Sequence, residues 1–130
     1  PVAQKVYNFF IQKGFTTFQS AAWVGNLNQE SGLDPTIVNG IGAIGLAQWL
    51  GSRKTKLTTK SNYKTLDVQL NFIWEELQTT EKNAYIAIKN TTSLEDATTA
   101  IRKKYERPGE AEARDDKRLS YANEVLNKFA

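Results

Sequence analysis

The amino-acid sequence predicts an all-α domain that carries one short irregular or β-hairpin lip beside a groove. Three observations predict it. Apolar residues recur at helical spacing in successive segments. Helix-start signals, Thr16 with Gln19 and Ser93 with Asp96, stand ahead of two of those segments. Residues 34–49 break the pattern by alternating glycine with Ile, Val, Leu and Ala.

Taken in order, Val2, Val6, Phe9 and Phe10 form a stripe that stops at Gly14, a C-terminal glycine. Thr16 and Gln19 make a capping box, so a second helix starts there and runs to about Ser31. Its density in Ala, Gly, Val, Leu and Trp suits burial on most sides. Trp23, Leu27 and Glu30 share one sector, while Phe18, Ala21, Ala22 and Gly25 form another, where small side chains let a neighbouring helix approach closely. Gly32 is a left-handed cap candidate, and Asp34-Pro35 prevents continuation. Residues 51–64, rich in Lys and Arg, read as a solvated surface segment. Leu66, Leu70, Ile73 and Leu77 give the clearest amphipathic helix, widened by Phe72 and Trp74. A further helix is expected over residues 81–89. The next, capped at Ser93, has the stripe Leu94, Ala97, Ile101 and Tyr105 and ends at Pro108-Gly109. The last is expected from near Glu110, burying Leu119, Ala122, Leu126 and Phe129. Its charges, from Glu110 through Arg114, Asp115, Asp116 and Lys117 to Arg118, alternate in sign as an exposed face does.

Composition narrows the chemistry. A length of 130 residues suits one domain with its own core, and no repeat or linker is visible. The absence of cysteine and histidine removes thiolate and Ser-His nucleophiles and the usual zinc sites, and no metal or cofactor is expected. A net charge of +3 gives mild attraction to polyanions, but charges that alternate in sign argue against nucleic-acid binding. No apolar run has the length of a membrane helix, so no membrane insertion is expected. A start at Pro1 without methionine suggests a domain excised from a longer protein whose other domains would be its partners.

Glu30 is the residue around which the site is expected. Apolar surroundings and the negative end of the helix dipole both disfavour its charged form, which suits a general acid working near neutral pH. After it, Gly32, Gly40, Gly42, Gly45 and Gly51 allow backbone to pass close to a ligand.

These residues also carry a resemblance. Glu30-Ser31-Gly32-Leu33-Asp34-Pro35 followed by Gly42-Ala43-Ile44-Gly45-Leu46-Ala47-Gln48 resembles the signature of soluble lytic transglycosylases and goose-type lysozymes, with Gly45 and Gln48 at matching distances from Glu30. The stretches Gly25 to Gly32, Gly45 to Trp49, Gln69 to Leu77 and Tyr105-Glu106-Arg107-Pro108-Gly109 are similar to the phage-tail lysozyme family. The resemblance implies a lysozyme-like fold and cleavage of the β-1,4 bond from N-acetylmuramic acid to N-acetylglucosamine in peptidoglycan glycan strands. It implies Glu30 as the proton donor to the glycosidic oxygen. It also implies an extracellular or virion-tail setting at the bacterial wall.

Under that resemblance Ser31 orients the acid or touches sugar, or is a helix-end hydroxyl. Gln48 offers an amide that both donates and accepts, suited to N-acetyl or hydroxyl groups, or it braces its loop. Trp49 stacks on a sugar or belongs to the core. Tyr105 corresponds to a groove tyrosine of transglycosylases or packs. Trp23, Asn26 and Asn39 are near-site candidates, and Glu106 and Arg107 pair with each other or cap a helix. Goose-type enzymes place an Asp just before Gly-Leu-x-Gln, where this chain has the apolar Ala43 and Ile44. Asp34, Glu75, Glu76 and Glu106 remain as candidate second carboxylates for hydrolysis. A single acid suffices for the transglycosylase route to a 1,6-anhydro product. The alternative from another class is a non-catalytic peptidoglycan-binding module.

Overall fold

The computed structural model describes residues 1–108 and 113–130. Its elements are α1 (Val2–Gln12), α2 (Thr17–Ser31), α3 (Gly51–Thr58), α4 (Leu66–Gln78), α5 (Lys82–Lys89), α6 (Leu94–Ala100) continued by a π-helical turn (Ile101–Glu106), and α7 (Asp115–Phe129). Residues 34–49 form the lip as an irregular loop pinned by two isolated antiparallel bridges, Val38 to Ile44 and Ile44 to Trp49.

Helix α2 is the axis. Its start is the expected capping box: Thr16 Oγ1 accepts from Gln19 N at 3.1 Å while Gln19 Oε1 accepts from Thr16 N at 3.0 Å. Its end is Gly32, at φ 64° in the left-handed region, with its N–H on Asn28 O. Every residue from Gln19 to Leu27 is buried. Helix α7 crosses at Gly25, where a Cβ would meet Ala122 Cβ at 2.9 Å and overlap the Arg118 carbonyl, so glycine is what permits the approach. On another side Trp23 stacks on Phe10 of α1, 4.7 Å between centroids and 2° between planes, and meets Tyr105 edge-on at 5.0 Å.

Residues 51–64 are largely exposed, as expected of a solvated surface segment, and one other expectation needs correction. Residues 51–58 form helix α3, with Leu57 buried and Arg53 four residues earlier on the same side. The basic residues of this segment concealed a short helix whose one apolar anchor is too little for a periodic signal. In α7, Arg118 is 1% exposed and lies on the buried side with Ala122 and Val125. The alternation of sign there describes only the residues before it. The expected start of the last helix near Glu110 falls outside the described residues.

Candidate active site

The lip, the end of α2 and the π-helical turn enclose a cavity of about 360 Å³. Glu30 enters from the last turn of α2. The lip contributes Asn39, Gly40, Ile41, Ala43, Gln48 and Leu50, and Glu106, Arg107 and Pro108 close the opposite side. Of the residues singled out from sequence, Glu30, Asn39 and Gln48 therefore share one space. Among the candidate second carboxylates, Glu106 joins them.

The cavity depends on how the lip is braced. Asn39 Oδ1 accepts from Ile41 N at 3.0 Å and Ala43 N at 2.9 Å, folding the tip into a compact turn. Gln48, at the strained φ of 56°, donates Nε2 to Gly45 O at 3.0 Å, so it braces its own loop while lining the cavity. Gly45 has φ 78°, and a Cβ there would fall 2.8 Å from Gln69 Oε1. Gln69 is buried and joins three segments: Oε1 accepts from Leu46 N, and Nε2 donates to Pro35 O and Tyr63 O, each at 2.8 Å.

Glu30 does not sit among apolar groups alone, as its sequence context suggested. Arg118 Nη2 donates to its Oε2 at 2.8 Å, and the guanidinium is itself buried. Asn26 orients that arginine: its Oδ1 accepts from Arg118 Nη1 at 3.1 Å, while its Nδ2 donates to Ala22 O and Thr98 O. The Ala113 carbonyl accepts from Arg118 Nε. Asn26 is thus a support beneath the cavity rather than part of its wall.

Glu106 is held differently. Among the described residues its Oε2 is enclosed and has no hydrogen-bond partner. Burial, and then the charge on Glu30, push its carboxyl well above the usual carboxylate range, against the opposing pull of Arg118 and Arg53. Arg107 does not pair with it; its guanidinium donates to Glu81 at 2.5 Å and to Lys104 O at 2.7 Å.

For three candidate substrate contacts the structure favours the packing or helix-end alternative. Trp49 and Tyr105 are 2% and 0% exposed. Both donate to Oε1 of buried Glu76, Trp49 Nε1 at 3.0 Å and the Tyr105 hydroxyl at 2.7 Å, so both rings pack in the interior. Burial first, then the nearby Glu76 charge, push the Tyr105 hydroxyl upward and keep it a neutral donor. Ser31 is buried and donates to Leu27 O at 3.0 Å, which is the helix-end role. Trp23 is likewise fully enclosed. Of the other carboxylates, Asp34 accepts from Thr36 N and Oγ1, and Glu75 pairs with Lys60 at 2.8 Å and Lys56 at 3.5 Å. Glu76 binds Arg53 through both oxygens, at 2.7 and 3.0 Å.

Sequence reasoning missed Arg118, Arg53 and Gln69. A signal existed for the first: Arg118 lies four residues before Ala122 and seven before Val125, the spacing of a buried stripe. No local signal marks the other two, whose partners lie far along the chain.

No helix among the described residues is long and apolar enough to cross a membrane. A search of the curated proteins found no match. A family model described as phage tail lysozyme matches residues 1–129. The chain, mostly helical and with its Glu30 motif opening on a cavity, belongs to the phage tail lysozyme family, and that membership implies a glycosidase acting on peptidoglycan.

Proposed function

We propose that this domain cleaves the β-1,4 bond from N-acetylmuramic acid to N-acetylglucosamine in peptidoglycan glycan strands, with Glu30 protonating the glycosidic oxygen. The observation that carries the reading is the placement of Glu30: the helix carrying the family motif ends with its carboxyl group on a cavity walled by the glycine-rich lip. The volume suits a site that holds one or two sugar rings at a time. Ile41 and Leu50 on the lip, 75% and 44% exposed, offer apolar surface to the C–H face of a sugar. Asn39 and Gln48 line the same cavity, and their amides suit N-acetyl or hydroxyl groups. The setting we infer is a phage tail device or another secreted wall-remodelling protein, with further domains of a parent protein as partners.

Mass spectrometry of sugars released from purified peptidoglycan tests this, with Glu30→Gln run beside the unaltered protein. Release of muramic ends by the unaltered protein, and its loss by about 10²-fold or more in Glu30→Gln, is expected. 1,6-Anhydro ends would identify the transglycosylase route, and reducing muramic ends hydrolysis. Reducing glucosamine ends would show a different bond, and unchanged release by Glu30→Gln would remove Glu30 from the reaction. Wall binding without release would identify a binding module.

A further inference from the structure

A carboxylate that accepts from a buried guanidinium, as Glu30 does from Arg118, is favoured in its charged form, without a proton. A proton donor working near neutral pH needs one. The structure supplies a carboxyl group suited to hold it on the opposite wall of the same cavity, at Glu106.

The backbone directs Glu106 inward. The π-helical turn over Ile101–Glu106 advances each residue through a smaller angle than an α-helix does, so Glu106 lags toward the side that Ile101 and Tyr105 bury. Arg107 follows at φ 50°, ending the turn and fixing that orientation. Among the described residues, the charged groups facing Glu106 include Glu30 of α2, Arg118 of α7, Arg53 of α3 and Glu76 of α4, while Arg107 beside it turns to Glu81. Both arginines direct hydrogen bonds at other carboxylates, Arg118 to Glu30 and Arg53 to Glu76. Among the described residues Glu106 Oε2 is left enclosed and unanswered, which disfavours an anion there far more than a neutral acid.

Building on the glycan-cleaving reading above, we propose that Glu30 and Glu106 hold a single proton between them, resident on Glu106 in the empty cleft and delivered by way of Glu30 to the glycosidic oxygen. As the bond from C1 to that oxygen breaks, its electron pair goes to the oxygen, which takes the proton, and both carboxyl groups are left ionised. The incoming hydroxyl, of water or of the sugar's own C6, bonds to C1 and returns its proton to the pair. Being neutral at rest, Glu106 is neither a nucleophile nor a base for water before the bond breaks. Arg118 sets the division of labour by holding Glu30 as the charged member.

The pH profile of glycan cleavage by the whole chain and by Glu106→Gln tests this, together with ¹³C NMR titration of the glutamate carboxyl carbons. Glu106→Gln is expected to lose about 10²-fold or more at neutral pH and to recover part of it in acid, its alkaline limb moving down by at least about one pH unit. In the unaltered protein the Glu106 carboxyl should titrate above that of Glu30. In Glu30→Gln it should titrate lower, because the neighbouring charge is gone. An unshifted alkaline limb in folded Glu106→Gln overturns the proposal, as does a Glu106 that titrates in the ordinary carboxylate range. If Glu106→Gln does not fold, the two titrations decide alone. Absence of any sugar release by the unaltered protein would instead overturn the cleavage reading and delivery with it, while the titration order would still locate the proton.

Discussion

The molecule contains two clusters built from the same parts, a glutamate with an arginine brought from a distant helix, and they end in opposite states. Around Glu76 every demand is met: Arg53 binds both oxygens, Trp49 and Tyr105 donate to one of them, and Arg53 also donates to the Tyr105 carbonyl at 3.1 Å. Around Glu30 and Glu106, among the described residues, Arg118 donates to Glu30, and an oxygen of Glu106 stays unanswered beside a cavity. A buried charge with all its partners is scaffold, since nothing in it can change without loss. An enclosed carboxyl oxygen left unanswered among the described residues stores a preference for holding a proton, which is what chemistry can use.

The comparison also orders the supports. The Glu76 cluster ties α3, α4, Trp49 of the lip and the π-helical turn into one unit, so it fixes Gln48 and Glu106, the neighbours of Trp49 and Tyr105, on facing walls. Arg118, braced by Asn26, does the same for Glu30.

The largest effect should come from emptying the satisfied cluster. Glu76→Ala leaves the half-buried Arg53 guanidinium without its anion and the Trp49 and Tyr105 donors without their acceptor, and should cost roughly 3–5 kcal/mol of stability, read by thermal or denaturant unfolding. A loss under about 1 kcal/mol would mean that solvent reaches this cluster and that the contrast with the cavity is false. Trp49→Phe keeps an aromatic ring but deletes the donor to Glu76, and should cost about 1–3 kcal/mol. Its KM for glycan should stay near that of the unaltered protein. A raised KM at unchanged stability would mark Trp49 as a sugar contact after all.

Glu106→Gln should give the smallest effect on stability, and its sign reverses that of Glu76→Ala. The folded Glu106 carboxyl lies above its unfolded value, so its contribution is fully present below the unfolded range and is lost as pH rises through the raised folded value. The unaltered protein should therefore lose stability relative to Glu106→Gln as pH rises from about 4.5, the ordinary glutamate region, toward neutrality. Melting temperatures measured in parallel at acid and neutral pH would show it. A constant difference across pH would mean that Glu106 is already ionised in the fold.

Much of the frame was legible from sequence because the interactions that set it are local. The box of Thr16 and Gln19 and the cap of Ser93 on Asp96 N each span three residues, and Gly32 terminates α2 by its own backbone freedom. The helix stripes were legible for the same reason, whereas α3, with a single buried leucine, left too little pattern to read.

The candidate site was legible only at its motif. Glu30, Asn39 and Gln48 were singled out from the sequence, and the structure brings them to one cavity. Trp49 and Tyr105 were equally visible as aromatic residues, but their direction depended on Glu76, which is 27 and 29 residues away in the chain. Neighbouring residues set the order of most helices and put an acid at the end of a buried one. Which charges face each other follows from packing alone. Arg118 reaches Glu30 across 88 residues, and the π-helical turn brings Glu106 to the same space. Hydrogen bonds within one helical turn are written in neighbouring residues, but the field at a buried carboxyl is the sum over groups that only the packed chain brings together.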